Sequence, residues 1–142
     1  QYYTSTEIYQ RESDRIFNSR WLCIGRAEQI PHPGNYFLVN IGTESIIVVR
    51  NNSGELRAFY NVCRHRGTRL CQQSPGKFNH TISCPYHAWS YNLDGQLNAA
   101  PLMNELNYFR KEDYPLHKVA IETWEGFLFI NLAPNPEPFA IA

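Results

Sequence analysis

Two short runs, Cys63-Arg64-His65 and Cys84-Pro85-Tyr86-His87, each offer one thiol and one imidazole. Both groups are metal donors, so their order along the chain is informative. A structural zinc site uses the same donors, but it usually sets two Cys close together and then two His roughly three to five residues apart. Here both halves are mixed, and a single residue, Arg64, separates the first pair. A [2Fe–2S] centre with two thiolates on one iron and two imidazoles on the other fits that order. If each loop supplies one Cys and one His, each loop touches both irons, and the loops clamp the cluster from two sides. Cys63, His65, Cys84 and His87 are therefore the candidate ligands. The competing readings are a zinc-stapled interaction module and a set of unrelated core residues.

The neighbours suit tight loops. Gly67 allows a turn with φ > 0, and Pro85 stiffens the second loop. Such loops point several backbone amides in one direction, as a sulfide-bearing cluster requires. Tyr86 and Trp89 either screen the centre from water or simply pack a core. Arg64, Arg66 and Arg69 either form a cationic rim that docks an acidic electron donor or belong to an ordinary solvated loop. Cys23 and Cys71 read as small buried hydrophobes. His32, His80 and His117 are scattered singles with no partner at ligand spacing.

These loops need a scaffold. Residues 4–20 read as an amphipathic helix with a Thr4/Glu7 capping box. From Trp21 the pattern changes to short strands. Trp21–Ile24, Tyr36–Ile41, Ile46–Arg50 and Leu56–Tyr60 are bounded by Pro31, Pro33-Gly34, Gly42 and Asn52-Ser53-Gly54. Strands of this length between such turns predict an antiparallel sandwich or barrel, with Ile46–Arg50 and Leu56–Tyr60 forming a hairpin. Residues 61–100 have few apolar runs, hold both metal loops and carry a second hairpin turn at Asp94-Gly95. They read as a cluster-bearing subdomain inserted into the sheet. Residues 101–115 read as loop or weak helix, and Phe127–Leu132 as a buried strand returning to the main sheet.

Composition sets the outer limits. A chain of 142 residues, 43% hydrophobic and 18% charged, is one globular domain with its own core. A net charge of zero gives a nucleic-acid partner no support. No signal peptide and no apolar run of ~18 residues is present, which points to a reducing, cytoplasmic setting away from membranes. The first residue is Gln, and Pro134-Asn135-Pro136-Glu137-Pro138 reads as a linker. The expectation is a piece of a longer protein, with a domain over 1–133 and the start of a linker over 134–142.

The runs Asn61-Val62-Cys63-Arg64-His65-Arg66-Gly67 and Cys84-Pro85-Tyr86-His87-Ala88-Trp89 resemble the two cluster motifs of Rieske non-haem iron oxygenases, in the alpha subunit. The closing run Trp124-Glu125-Gly126-Phe127-Leu128-Phe129-Ile130-Asn131-Leu132 is similar to the same N-terminal domain. The resemblance implies an all-β Rieske-type sandwich or barrel with an inserted cluster subdomain and an N-terminal helix. It implies a Rieske [2Fe–2S] cluster that receives single electrons from a reductase or ferredoxin. It further implies a mononuclear non-haem Fe(II) in a separate C-terminal domain, outside this chain, and a homotrimer in the full-length form. By position His87 would face a carboxylate near the neighbouring subunit's catalytic iron. High-potential Rieske proteins resemble one another in an inter-loop disulfide and a Ser donor; Tyr86 and Trp89 stand at those positions here. Tyr91 keeps the phenol that donates to a cysteine sulfur. A free-standing Rieske ferredoxin is the alternative, but those proteins lack the N-terminal helix and closing linker.

Overall fold

The computed structural model describes residues 5–141. Its centre is the run Ile46-Ile47-Val48-Val49, β-branched throughout and fully buried. Alternate side chains of a strand point to opposite faces, so such a run must have a core on each side. It does. Ile47 and Val49 join one apolar cluster, Ile46 and Val48 the other. Each of these side chains is worth roughly 1.5–3 kcal/mol of burial.

That run lies in β3 (Glu44–Arg50). Around it are β1 (Leu22–Arg26), β2 (Asn35–Ile41), β4 (Leu56–Tyr60), β5 (Gly76–Lys77), β9 (Lys118–Trp124) and β10 (Phe127–Asn131). They form one curled antiparallel sheet in the order β1-β10-β9-β4-β3-β2-β5. The expected hairpin is present, with Arg50 paired to Leu56 and Ile46 to Tyr60. A second sheet of three short strands, β6 (Thr81–Ser83), β7 (Ser90–Asn92) and β8 (Leu97–Ala99), packs beside the first. The all-β class, the antiparallel pairing and the N-terminal helix are as expected from the sequence.

Several details differ. Thr4 lies outside the described residues, and the helix α1 (Thr6–Glu12) is capped by Ser5, whose hydroxyl accepts from the Ile8 amide at 3.5 Å. One π-helical stretch, Ser13–Phe17, then ends it. Neither stretch buries a residue, so the amphipathic pattern reflects partial cover, not core packing. Trp21 and Leu132 fall just outside their strands. The sequence reading missed β9 altogether: only Val119 of its seven residues is buried, so no clean alternation announces it. Cys23 is exposed, not a buried hydrophobe, because it points away from the core between the half-buried Leu22 and Ile24. The Pro-rich end packs back on the barrel, with Trp21 Nε1 donating to Glu137 O at 2.9 Å and Phe139 set edge-on to Trp21.

The three-stranded sheet is docked onto the main one by its hairpin tip. Gly95 sits at φ +86, and a Cβ there would run into the Phe59 ring. Only glycine allows so close an approach to a buried ring. Leu116 N donates to Gly95 O at 2.7 Å, and Asn51 Nδ2 donates to Asp94 Oδ1 at 2.8 Å. Two β-sheets are thus fixed to each other within one tip, and the two candidate loops hang from these sheets.

Candidate metal centre

The first loop leaves the end of β4, and the second joins β6 to β7. Their backbones are alike. In the first, Cys63 N donates to Thr68 O at 2.8 Å and Gly67 N to Cys63 O at 3.0 Å. In the second, Cys84 N donates to Trp89 O at 2.7 Å and Ala88 N to Cys84 O at 3.1 Å. The residue four after each Cys is left-handed, Gly67 at φ 71 and Ala88 at φ 58. The role expected of Gly67 is observed. Ala88 takes the same conformation without glycine's freedom, at a cost of roughly 1–2 kcal/mol, and nothing in its identity signals this.

The loops bring like donors together. The Cys63 thiol has the Cys84 thiol beside it, and both residues are buried. The His65 and His87 ring centroids are 4.8 Å apart. Among the described residues, no three His, Cys, Asp or Glu side chains gather to hold one metal ion. A tetrahedral zinc site needs its four donors around one point. A pair of thiols and a pair of imidazoles kept distinct suits two metals bridged by sulfide.

A match to the Rieske [2Fe-2S] domain covers residues 20–110. The chain belongs to the Rieske [2Fe–2S] domain family. It is 44% identical over 136 residues to the glycine betaine monooxygenase oxygenase subunit of Chromohalobacter salexigens, covering 95% of this chain and 30% of that protein. It is 38% identical over 134 residues to the carnitine monooxygenase oxygenase subunit of Acinetobacter baumannii, covering 94% and 36%. The chain thus spans about a third of the length of these curated relatives. The solved structure of the apo form of a quaternary ammonium Rieske monooxygenase superposes with a TM-score of 0.91 at 36% identity, over 96% of this chain and 40% of that one. A naphthalene 1,2-dioxygenase mutant bound to phenanthrene gives 0.89 at 31% identity, over 99% and 32%. The zinc-module reading falls with these matches.

Within the Rieske domain, the electrostatics suit metal donors. Burial pushes the Cys63 thiol up, while hydrogen bonds from Tyr91 and the His65 backbone pull the other way. A cation is what stabilises a thiolate in such a place. His65 is held below its usual range by burial first, then by His87 and Arg66. That shift favours the neutral form, the one that offers a lone pair. Tyr91 is fully buried, with its hydroxyl 3.3 Å from Cys63 Sγ and accepting from the Arg64 amide at 3.0 Å. The expected phenol donor is therefore in place.

Aromatic rings cover the imidazoles. Trp89 is buried and stacked on His65, and Tyr86 sits over His87 at 3.8 Å while remaining 59% exposed. Of the two alternatives posed for Trp89, core packing is observed, and the same ring covers one face of His65. The three arginines separate. Arg64 is half-buried, its guanidinium donating to Pro115 O at 2.6 Å and lying over the Tyr114 ring, so it braces the loop. Arg66 and Arg69 are exposed. His32, His80 and His117 are exposed and lie outside the constellation.

One residue the sequence reading passed over is Asn61. It is 1% exposed and fully bonded. Its Oδ1 accepts from the amides of Leu70 (3.1 Å) and Cys71 (2.9 Å), and its Nδ2 donates to Cys71 O (2.7 Å) and Ser45 Oγ (3.1 Å). Asn61 thereby ties the two ends of the Cys63 loop together and to β3. A lone Asn beside a candidate ligand run was its only signal.

Proposed function

We propose that Cys63 and Cys84 ligate one iron of the Rieske cluster, that His65 and His87 ligate the other, and that the domain relays single electrons within an oxygenase. The observation that carries this reading is the pairing of thiol with thiol and imidazole with imidazole across two matching loops. When bound, the cluster accepts and returns one electron at a time. The residues do the rest. Cys63 and Cys84 offer buried sulfurs, which lowers the dielectric around the charge. Tyr91 donates to one of those sulfurs. His65 presents its ring against Trp89, and His87 presents its ring at the surface under Tyr86. The donor is a reductase or ferredoxin, which Arg66 and Arg69 attract if it is acidic. The acceptor is a mononuclear non-haem iron in a catalytic domain, and the full-length protein works in the cytoplasm as a homotrimeric oxidoreductase. Support comes from the relatives, which are oxygenase subunits. No described helix is long and apolar enough to cross a membrane.

Iron and acid-labile sulfide analysis of anaerobically prepared protein tests the assignment. Two irons and two sulfides per chain are expected, with a low-average-g paramagnetic signal after dithionite. Single substitutions Cys63→Ser and His65→Ala should abolish that signal. Its survival in both variants would remove the ligand assignment.

A further inference from the structure

We infer that Trp89 is a positioning residue that sets the ring plane of His65. This rests on the proposed ligation by His65. A metal-bound imidazole is usually oriented by an acceptor for its second ring nitrogen. Among the described residues no hydrogen bond reaches the His65 ring, so its orientation must come from packing. The Trp89 indole lies nearly parallel to it, with centroids 4.7 Å apart and planes 9° apart. Offset stacking at this distance is a preferred geometry with a definite rotational minimum.

A stack orients a ring only if the partner is itself fixed. Trp89 is 2% exposed. Phe109 and Tyr114 meet it edge-on, at 5.7 Å and 66° and at 5.8 Å and 86°. Those two rings stack on each other at 5.0 Å. Its own carbonyl accepts from the Cys84 amide at 2.7 Å, so the indole shares a backbone with the second loop. Trp89 thus passes the position of one loop to the imidazole of the other. His87 has no such anchor, since its covering ring, Tyr86, is itself exposed.

The test uses the cluster-loaded protein and reads nitrogen hyperfine couplings by pulsed EPR, together with the rate of iron release to a chelator. Trp89→Leu fills part of the space without a stack. It should alter the coupling of one imidazole only and speed iron release on the order of 10-fold. Trp89→Phe keeps a flat ring and should restore both. Phe109→Leu loosens the packing around Trp89 without touching His65, and should lower Tm while shifting the couplings much less than Trp89→Leu does. Unchanged couplings in Trp89→Leu, or equal changes in Phe109→Leu, would overturn the inference. A wild-type protein with no iron would instead sink the ligand reading itself.

Discussion

Removing the Asn61 side chain should destabilise the domain far more than its size suggests. The truncation Asn61→Ala deletes few apolar contacts. It strands the amides of Leu70 and Cys71, the Cys71 carbonyl and the Ser45 hydroxyl, all in a region nearly closed to solvent. Each buried group left without a partner costs roughly 1–3 kcal/mol. Ser45 can rotate to another acceptor, and a water in the vacated space can serve one or two of the others. A net loss of about 2–4 kcal/mol remains, a large share of the ~5–15 kcal/mol that holds a domain together. Thermal unfolding followed by near-UV circular dichroism should show Tm lower by roughly 6–12 °C. Ser45→Ala removes only one of the four partners and should cost about 1 kcal/mol. The network touches no metal donor, so cluster-loaded and cluster-free protein should lose similar amounts. A drop under ~1 kcal/mol in Asn61→Ala would refute the argument that these four bonds hold the loop closed.

At the hairpin tip, Gly95→Ala should cost more than ~2 kcal/mol, since its Cβ meets the immobile Phe59 ring, whereas Gly54→Ala, with φ +83 and nothing within 4 Å, should cost only about 1 kcal/mol by urea titration. Tyr91→Phe removes a donor to Cys63 Sγ and should lower the midpoint potential measured by protein-film voltammetry; the parent value should lie below about +150 mV, in the lower half of the Rieske range. Arg66→Glu should slow reduction by the electron donor and weaken its salt dependence in stopped-flow traces, and an unchanged rate would exclude Arg66 from docking. Burial pushes the Cys71 thiol from 9.0 up to about 11. The folded state therefore favours the protonated thiol, its contribution is complete below pH 9 and is lost between about pH 9 and 11, and alkylation at pH 8 should label exposed Cys23 while sparing Cys71.

What the sequence made legible follows from where local chemistry agreed with tertiary demand. The two Cys/His pairs and their convergence were readable because the mixed order of donor types is unusual for a packed core. The strand run Ile46–Val49 was readable because burial on both faces requires unbroken apolar residues. β9 was not, because its Lys, Glu and Thr face solvent and its partners β4 and β10 decide its conformation. Cys23 shows the same limit in miniature. Whether a small side chain on a half-covered strand points in or out depends on register, and the bulge between Cys23 and Gly25 shifts that register; Gly25 was its one local signal. Asn61 was hidden for a different reason. Its four partner groups lie on two other segments, at Ser45 and at Leu70-Cys71, and no local pattern encodes a long-range hydrogen-bond set.

The two loops share a backbone frame but not an environment, and that difference bears on how electrons would pass. The matching amide-to-carbonyl bonds set each Cys at the same point of its loop. The imidazoles are then offset, with His65 two residues after its Cys and His87 three after. One ring is therefore carried inward onto Trp89, and the other outward under an exposed Tyr86. Electron transfer between proteins weakens steeply with distance, so the imidazole that reaches the surface is the shorter route. An anchored His65 limits structural rearrangement on reduction, while His87 lies within reach of a partner. Tyr86→Leu should change the rate at which electrons enter or leave and leave iron retention intact, whereas Trp89→Leu should speed iron loss as well as alter the rate.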